Sequence, residues 1–277
     1  MPSQQLNQDA IAFIGGGNMA SAIIGGLLRQ GLAPGQIQVV EPLAEQRERL
    51  EREFNISTMA TPQASLQAAR LMVWAVKPQA FTQAALQVRP YASQALHLSV
   101  AAGIRTDSIS RWLGHARVVR AMPNTPALIG MGLTALFAKP DVSAAERDQV
   151  QAIIKTTGDC LWLSEESQLD AVTALSGSGP AYVFYFIEAM IQAGVTMGLS
   201  AEQSRQLALG TFTGATALAS QSTEPPDVLR ARVTSKGGTT YAAITAMDQS
   251  DIKNQFILAI KAAQQRATEL GDEFGNS

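Results

Sequence analysis

Three consecutive glycines, Gly15, Gly16 and Gly17, stand directly after the apolar run Ala10-Ile-Ala-Phe-Ile14, and a helical repeat of apolar residues from Ala22 to Leu28 follows them. The spacing Gly15-x-Gly17-x-x-Ala20 between a strand and a helix is what dinucleotide binding requires. Gly15 permits a tight turn where a Cβ would clash. Gly17 lets backbone approach a pyrophosphate, and the small Ala20 keeps helix and strand close. The pyrophosphate would sit on the unpaired N–H groups that open the helix. This predicts a nicotinamide or flavin cofactor.

Other residues with chemical potential fall where later strands should end. Glu41 closes the second apolar run, where an acid can accept from a ribose 2′-OH and repel a 2′-phosphate. Taken alone that favours NADH over NADPH; a solvated strand end is the plainer alternative. Lys77, in Val76-Lys77-Pro78-Gln79, could reach a cofactor phosphate or ribose. The small Val100-Ala101-Ala102-Gly103 would let a flat ring approach the backbone. Met122-Pro-Asn-Thr-Pro126 is a stiffened loop presenting Asn124 and Thr125.

In the second half, Leu175-Ser176-Gly177-Ser178-Gly179-Pro180-Ala-Tyr182 reads as a helix opening left bare by its glycines, with Pro180 in the first turn. Thr234-Ser235-Lys236-Gly237-Gly238-Thr239-Thr240 reads as another. Two such anion-sized openings beside a dinucleotide fold suggest a substrate bearing a carboxylate; ordinary capping is the alternative. His97 lies in a strand pattern and His115 in a turn, so neither is placed as a general base, and neither has a metal-ligand partner. No lysine occurs between Lys155 and Lys236. A C=N substrate fits this lack of a proton relay, because it can enter already protonated and needs only hydride. No metal is expected.

The elements that must position these residues can be read from pattern. Strands are expected at Ala10–Ile14, Ile37–Glu41, Leu71–Ala75, Leu96–Val100, Val118–Met122, Leu133–Phe137 and Cys160–Leu163. Helices are expected at Ala44–Phe54 and Thr106–Leu113, with a capping box at Ser143-x-x-Glu146 opening another that stops near Gly158. Continuous apolar strands suit a parallel sheet covered on both faces. Beyond Leu163 only helical patterns remain: Pro180–Met197, Ala201–Ala219, Pro226–Val233, Thr240–Met247 and Asp251–Leu270, with Ser220–Asp227 as a loop. The first is apolar nearly all round and must be buried inside a domain or in a dimer interface. The expected domains are residues 1–163, an N-terminal Rossmann-type doubly wound α/β sheet, and residues 164–277, all α.

Composition excludes several classes. The chain has 277 residues, 46% hydrophobic and 16% charged, with a net charge of −2 and no basic cluster, so nucleic acid is not an expected partner. No apolar run approaches the ~20 residues of a membrane span. The first nine residues lack a signal-peptide layout, and the lone Cys160 cannot form an internal disulfide. A cytoplasmic protein is expected.

Taken together, Ile14-Gly-Gly-Gly-Asn-Met19, Ala75-Val-Lys-Pro-Gln79, Met122-Pro-Asn-Thr-Pro126, Ser176-Gly-Ser-Gly-Pro-Ala-Tyr182 and Ser235-Lys-Gly-Gly-Thr-Thr240 resemble the Δ1-pyrroline-5-carboxylate reductases over roughly residues 10–270. The resemblance implies a Rossmann domain and a helical dimerisation domain whose helices interleave between subunits, in homodimers that often assemble into decamers. Substrate would bind between the Rossmann domain of one subunit and the helical domain of the other. Carried over by position, Ile14, Gly15, Gly16, Gly17, Asn18, Met19, Ala75, Val76, Lys77, Pro78, Val100, Ala101 and Ala102 would line NADPH or NADH, with Glu41 and Asn124 beside them. Ser235, Gly237, Gly238, Thr239 and Thr240 would hold the substrate carboxylate, and Ser176, Gly177, Ser178, Gly179 and Pro180 would shape the wall. Thr240 would face the ring nitrogen and is the candidate catalytic residue. The implied reaction is hydride transfer from the nicotinamide C4 to C5 of the cyclic iminium, giving L-proline.

Glu41 stands where many relatives have a small or hydroxyl residue, Pro62 where an asparagine is frequent, and Thr239 where some have alanine. The first two differences touch the adenosine end, so the cofactor choice stays open at this point. A β-hydroxyacid dehydrogenase or imine reductase shares the plan, but the hydroxyacid enzymes place a lysine after a glycine-rich motif that is absent here. A non-catalytic nucleotide sensor would keep only the first half intact.

Overall fold

The computed structural model describes residues 10–275, and the reading of the first nine residues lies outside them. The chain divides into two compact units, one of residues up to Ser178 together with those from Ala263 onward, the other Gly179–Ala262.

The first unit opens with β1 (Ala10–Ile14), α1 (Asn18–Arg29), β2 (Ile37–Val40), α2 (Ala44–Phe54), β3 (Ser57–Met59), β4 (Ala69–Trp74) and α3 (Pro78–Val88). It continues with β5 (Leu96–Ser99), α4 (Thr106–Leu113), β6 (Val118–Met122), β7 (Gly132–Ala138), α5 (Ala144–Ile154), β8 (Gly158–Trp162) and α6 (Gln168–Val172). The strands form one eight-stranded sheet in the order β3-β2-β1-β4-β5-β6-β7-β8. All neighbours are parallel except β6 and β7. Only a turn at Thr125–Ile129 joins that pair, too short a link for a parallel crossover.

Alternation along each strand feeds two cores. Phe13, Val39, Val73 and Leu98 pack on one face with Ile23, Leu27 and Val150. Ala12, Ile14, Met72 and Trp74 pack on the other with Phe81, Ile109 and Trp112. Both faces are covered at the middle of the sheet, which is why Ala10–Ile14 and residues 71–74 read as unbroken apolar runs. β3 and α3 escaped the pattern reading. β3 is three residues long with Ser57 exposed, and α3 buries only Phe81, Ala85 and Val88 among glutamines and alanines.

The sheet ends at Trp162, where the residue character changes, yet the compact unit containing it runs on to Ser178. Charges tie this extension back. Glu166 accepts from the Thr106 amide at 2.8 Å, from the Thr106 hydroxyl and from buried Arg120 of β6 at 3.1 Å. Asp170 lies 4.0 Å from the same guanidinium and accepts from Thr268 at 3.0 Å.

The second unit holds α7 (Gly179–Thr196), α8 (Ala201–Gln221), α9 (Pro226–Arg232), α10 (Thr239–Gln249) and the start of α11 (Ile252–Gly275). Gly194 of α7 lets Ser204 of α8 approach so closely that a Cβ would fall 2.5 Å from its Oγ. Phe256 receives Tyr182 and Phe186 edge-on, at centroid distances of 5.7 and 5.4 Å. Little else in α7 is covered: Phe184 is 64% and Tyr185 70% exposed within the single chain. The expectation that this helix is buried on several sides is therefore not met by one chain alone.

His97 sits fully buried in β5, where its Nδ1 accepts from the Trp74 indole at 3.2 Å and its Nε2 has no hydrogen-bond partner. Burial first, then the charges of His115 and Arg117, lower its pKa from 6.5 to about 3. The unfolded chain binds this proton near pH 6.5 and the folded chain does not, so stability is full above that value and falls as pH drops toward 3. Chemical denaturation between pH 7 and 4 should show His97→Gln losing stability less steeply than the parent, by up to about 1.4 kcal/mol per pH unit. Parallel curves would mean that His97 is protonated in the fold.

Candidate active site

The carboxyl ends of β1, β2, β4 and β5 meet at one edge of the sheet. Gly15 N donates to Val40 O at 2.8 Å, Ala75 N to Ile14 O at 2.8 Å, and Val100 N to Trp74 O at 3.0 Å. Strand order reverses between β2-β1 and β1-β4, the place where open α/β sheets bind ligands. Gly15 turns there with φ +93°, and a Cβ on it would fall 2.6 Å from Ala75 O. Gly16 is buried under Leu50, while a Cβ on Gly17 would meet nothing within 4 Å. The three glycines thus have separate reasons: backbone torsion, packing from within, and open space outside.

Gly17 is also the N-cap of α1, and no side chain caps it. The unpaired amides of that helix face outward with exposed Asn18 beside them. Lys77 is the exposed N-cap of α3, likewise without a side-chain cap, and Pro78 opens that helix. Val100 and Ala102 are half-buried and Ala101 buried, held where the Ala101 amide donates to Ser99 Oγ at 3.3 Å. Ile14, Gly15, Gly16, Gly17, Asn18, Met19, Ala75, Val76, Lys77, Pro78, Val100, Ala101 and Ala102 all belong to these turns. The fit to a dinucleotide is good: two uncapped helix openings flank a glycine turn with free space above Gly17.

Glu41 occupies the end of β2 as expected, but its carboxylate is not held in solvent. It accepts from Gly16 N and Leu43 N, each at 2.9 Å. Asn124 is committed to the protein as well, accepting from Leu133 N at 3.0 Å and donating to Ser176 Oγ at 3.2 Å. One hydrogen of its amide remains for a ligand.

The Ser176–Pro180 segment corrects the reading of a bare helix opening. Thr173–Gly177 forms a π turn in which Ser178 N donates to Thr173 O at 2.8 Å. Ser178 keeps right-handed helical torsions and α7 begins at Gly179, so helix runs on both sides of the glycines. The wide π turn absorbs the residue that would otherwise interrupt the helix. A Cβ on Gly177 would displace the terminal methyl of Met122, which packs against this glycine. What this segment can offer a ligand is side chains and shape.

The other opening is as expected. Gly238 is the N-cap of α10, extended, with no side-chain cap. Gly237 has φ +76° and open space around it. Ser235 and Thr239 are exposed, Thr240 is half-buried in the first turn, and Gly238 N donates to Ser235 O at 3.0 Å. Free amides, hydroxyls and helix dipole there suit a carboxylate. Among the described residues no cluster of three or more potential metal ligands occurs.

A family model described as pyrroline-5-carboxylate reductase dimerisation matches residues 166–270, and one described as NADP oxidoreductase, coenzyme F420-dependent, matches residues 10–103. The pyrroline-5-carboxylate reductase of Pseudomonas aeruginosa is 44% identical over 96% of this chain and 98% of its own length. The chain belongs to the pyrroline-5-carboxylate reductase family. Among solved structures of the family, that from Coxiella burnetii is 36% identical with a TM-score of 0.88, covering 95% of this chain and 99% of its own. That from Plasmodium falciparum, solved with NADP bound, is 28% identical with a TM-score of 0.86, covering 96% and 99%.

Pattern reading missed one polar contact at the glycine turn, Gln46, and one buried charge outside that turn, Arg120. Gln46, which donates to Gly16 O, carries no local signal because it acts across the gap between α2 and the glycine turn. Arg120 carried one, since a charged residue inside an apolar strand implies a buried partner.

Gly17→Val should leave the melting temperature near that of the parent and weaken binding of reduced nicotinamide cofactor by roughly tenfold or more. Gly15→Ala should instead lower stability by about 2 kcal/mol or more, through positive φ and overlap with Ala75. Thermal melts beside cofactor titration separate the two, and equal destabilisation by both would refute the open space above Gly17.

Proposed function

We propose that this chain reduces 1-pyrroline-5-carboxylate to L-proline with NADPH or NADH. The observation that carries the reading is that a chain of this family holds both an open glycine turn at the sheet's switch point and, in its helical unit, an uncapped helix opening rich in hydroxyls. When bound, the reduced nicotinamide supplies a hydride to C5 of the substrate ring. The C=N bond becomes CH–NH, and a ring nitrogen already protonated needs no further proton for this step.

The chain's own work is positioning. The first turn of α10, with Ser235, Gly237, Gly238 and Thr239, holds the substrate carboxylate through amides and hydroxyls. Thr240 hydrogen-bonds the ring nitrogen and is the catalytic residue of the proposal; a threonine is too weak an acid to drive protonation alone. Ser176, Gly177, Ser178, Gly179 and Pro180 form the wall. His97 takes no part, because it is buried and neutral.

The exposed Phe184 and Tyr185 of α7 support a homodimer, with decamers as the family's further assembly. Among the described residues no helix is long and apolar enough to cross a membrane. A cytoplasmic site of action is part of the proposal.

Loss of reduced-nicotinamide absorbance on adding 1-pyrroline-5-carboxylate tests the reading. Turnover with proline as product is expected, with Thr240→Ala lowering kcat by about tenfold to a hundredfold at nearly unchanged cofactor affinity. A folded, cofactor-bound protein that oxidises neither NADH nor NADPH would refute the reductase and favour a sensor.

A further inference from the structure

Gly16 is gripped on both of its backbone polar groups by side chains from the β2–α2 corner. Its N–H donates to Glu41 Oε2 at 2.9 Å, and its carbonyl accepts from Gln46 Nε2. The other Glu41 oxygen accepts from Leu43 N at 2.9 Å. Glu41 is only 8% exposed, and Arg47 holds the corner closed by donating to the carbonyls of Glu41 and Pro42 at 2.9 and 2.7 Å. A carboxylate on a flexible, solvated side chain could swing away from an incoming anion. This one has both oxygens tied to main chain at opposite sides of the corner, and rotation would strand the Gly16 amide, which is buried with its residue.

Two consequences follow for a ligand lying on this turn. The peptide plane at Gly16 is set before any dinucleotide arrives, so the turn needs no ordering on binding. A fixed negative charge also stands at the end of β2, where the adenosine ribose lies in dinucleotide folds of this order. A 2′-phosphate brought there meets like charge in a partly desolvated corner, where repulsion is far less screened than in water. Arg47, which donates to the carbonyls of Glu41 and Pro42, is already occupied by them.

We infer that Glu41 is both the internal clamp of the glycine turn and a fixed gate against the 2′-phosphate, so that this chain selects NADH over NADPH. The inference rests on the reading that a nicotinamide dinucleotide occupies this turn. The clamp distinguishes Glu41 from an acid that only touches the ribose: neutralising it costs affinity for every dinucleotide while it relaxes the choice between them.

Binding titrations without substrate test this, using NADH, NADPH and 2′-deoxy-NADH on the parent, Glu41→Gln and Arg47→Ala, with thermal melts of the free proteins. The parent should bind NADH about tenfold or more tightly than NADPH. In Glu41→Gln an amide N–H replaces one of the two acceptors. The NADH-to-NADPH ratio should fall to within about threefold, and affinity for NADH and 2′-deoxy-NADH should drop together, severalfold or more.

A parent that binds NADPH as well as NADH, or better, overturns the gate; if Arg47→Ala then abolishes NADPH binding, Arg47 leaves its carbonyls for the phosphate. A Glu41→Gln protein that loses affinity for NADH but not for 2′-deoxy-NADH overturns the clamp and leaves an ordinary ribose contact. Melting temperatures within a few degrees of the parent, expected for an exchange of equal size, assign affinity losses to the turn rather than to unfolding. Cofactor selection as inferred in a protein inert toward 1-pyrroline-5-carboxylate would sink the proposed reaction and leave this inference standing.

Discussion

The constraint on which the first unit depends is the contact of Gly15 with the backbone of Ala75. The ends of β1 and β4 approach so closely that no Cβ fits between them, and the chain leaves β1 with a torsion that L side chains rarely adopt. That single turn aims α1 away from the sheet with its first amides uncapped. It also brings Gly16 beneath Leu50 and within reach of Glu41 and Gln46. A similar close approach recurs where Gly26 of α1 meets Thr156, so the helix is held near both of its ends by positions without a side chain. The cores on either face supply the bulk of the burial, but these approaches decide where the ligand-facing amides point.

The second unit solves a different problem. In the proposed function the opening of α10 need not move protons, because an iminium substrate arrives as the electrophile with its nitrogen already protonated. In the same proposal the unpaired amides that follow Gly238 in the first turn of α10, with the hydroxyls of Ser235, Thr239 and Thr240, orient a small carboxylate. That division of labour fits a chain with two histidines, one of them buried and held neutral. It also fits a family in which the helical unit is a dimerisation domain: α7 keeps Phe184 and Tyr185 outside its own chain, apolar surface that calls for cover.

Much of this was legible in residue order, for identifiable reasons. β1 is read to its end residues because a doubly covered parallel strand is apolar without interruption, and β6 is read to its ends although Arg120 interrupts it. Ala44–Phe54 and Thr106–Leu113 are equally clear, the latter ended by Gly114 in a left-handed cap. What local pattern cannot carry is tertiary approach. Serine and glycine at 176–179 look like a break, and only the backbone shows helix continuing through a π turn. Glu41 is visible as an acid at a strand end, but its grip on Gly16 depends on two segments 25 residues apart meeting in space. Ser57–Met59 is too short and too wet to announce itself. Arg120 was the one buried charge that pattern could have flagged, and its partners Glu166 and Asp170 explain why the first unit outlasts its last strand.

The proposed chemistry is a direct hydride transfer to the ring carbon, with no covalent or proton-relay step from the chain. The most direct measurement is the isotopic content of the proline formed in ordinary water from 1-pyrroline-5-carboxylate and reduced nicotinamide cofactor deuterated at both C4 positions. Direct transfer places one deuterium at C5 of L-proline in every molecule formed. Proline carrying solvent hydrogen at C5 would contradict it.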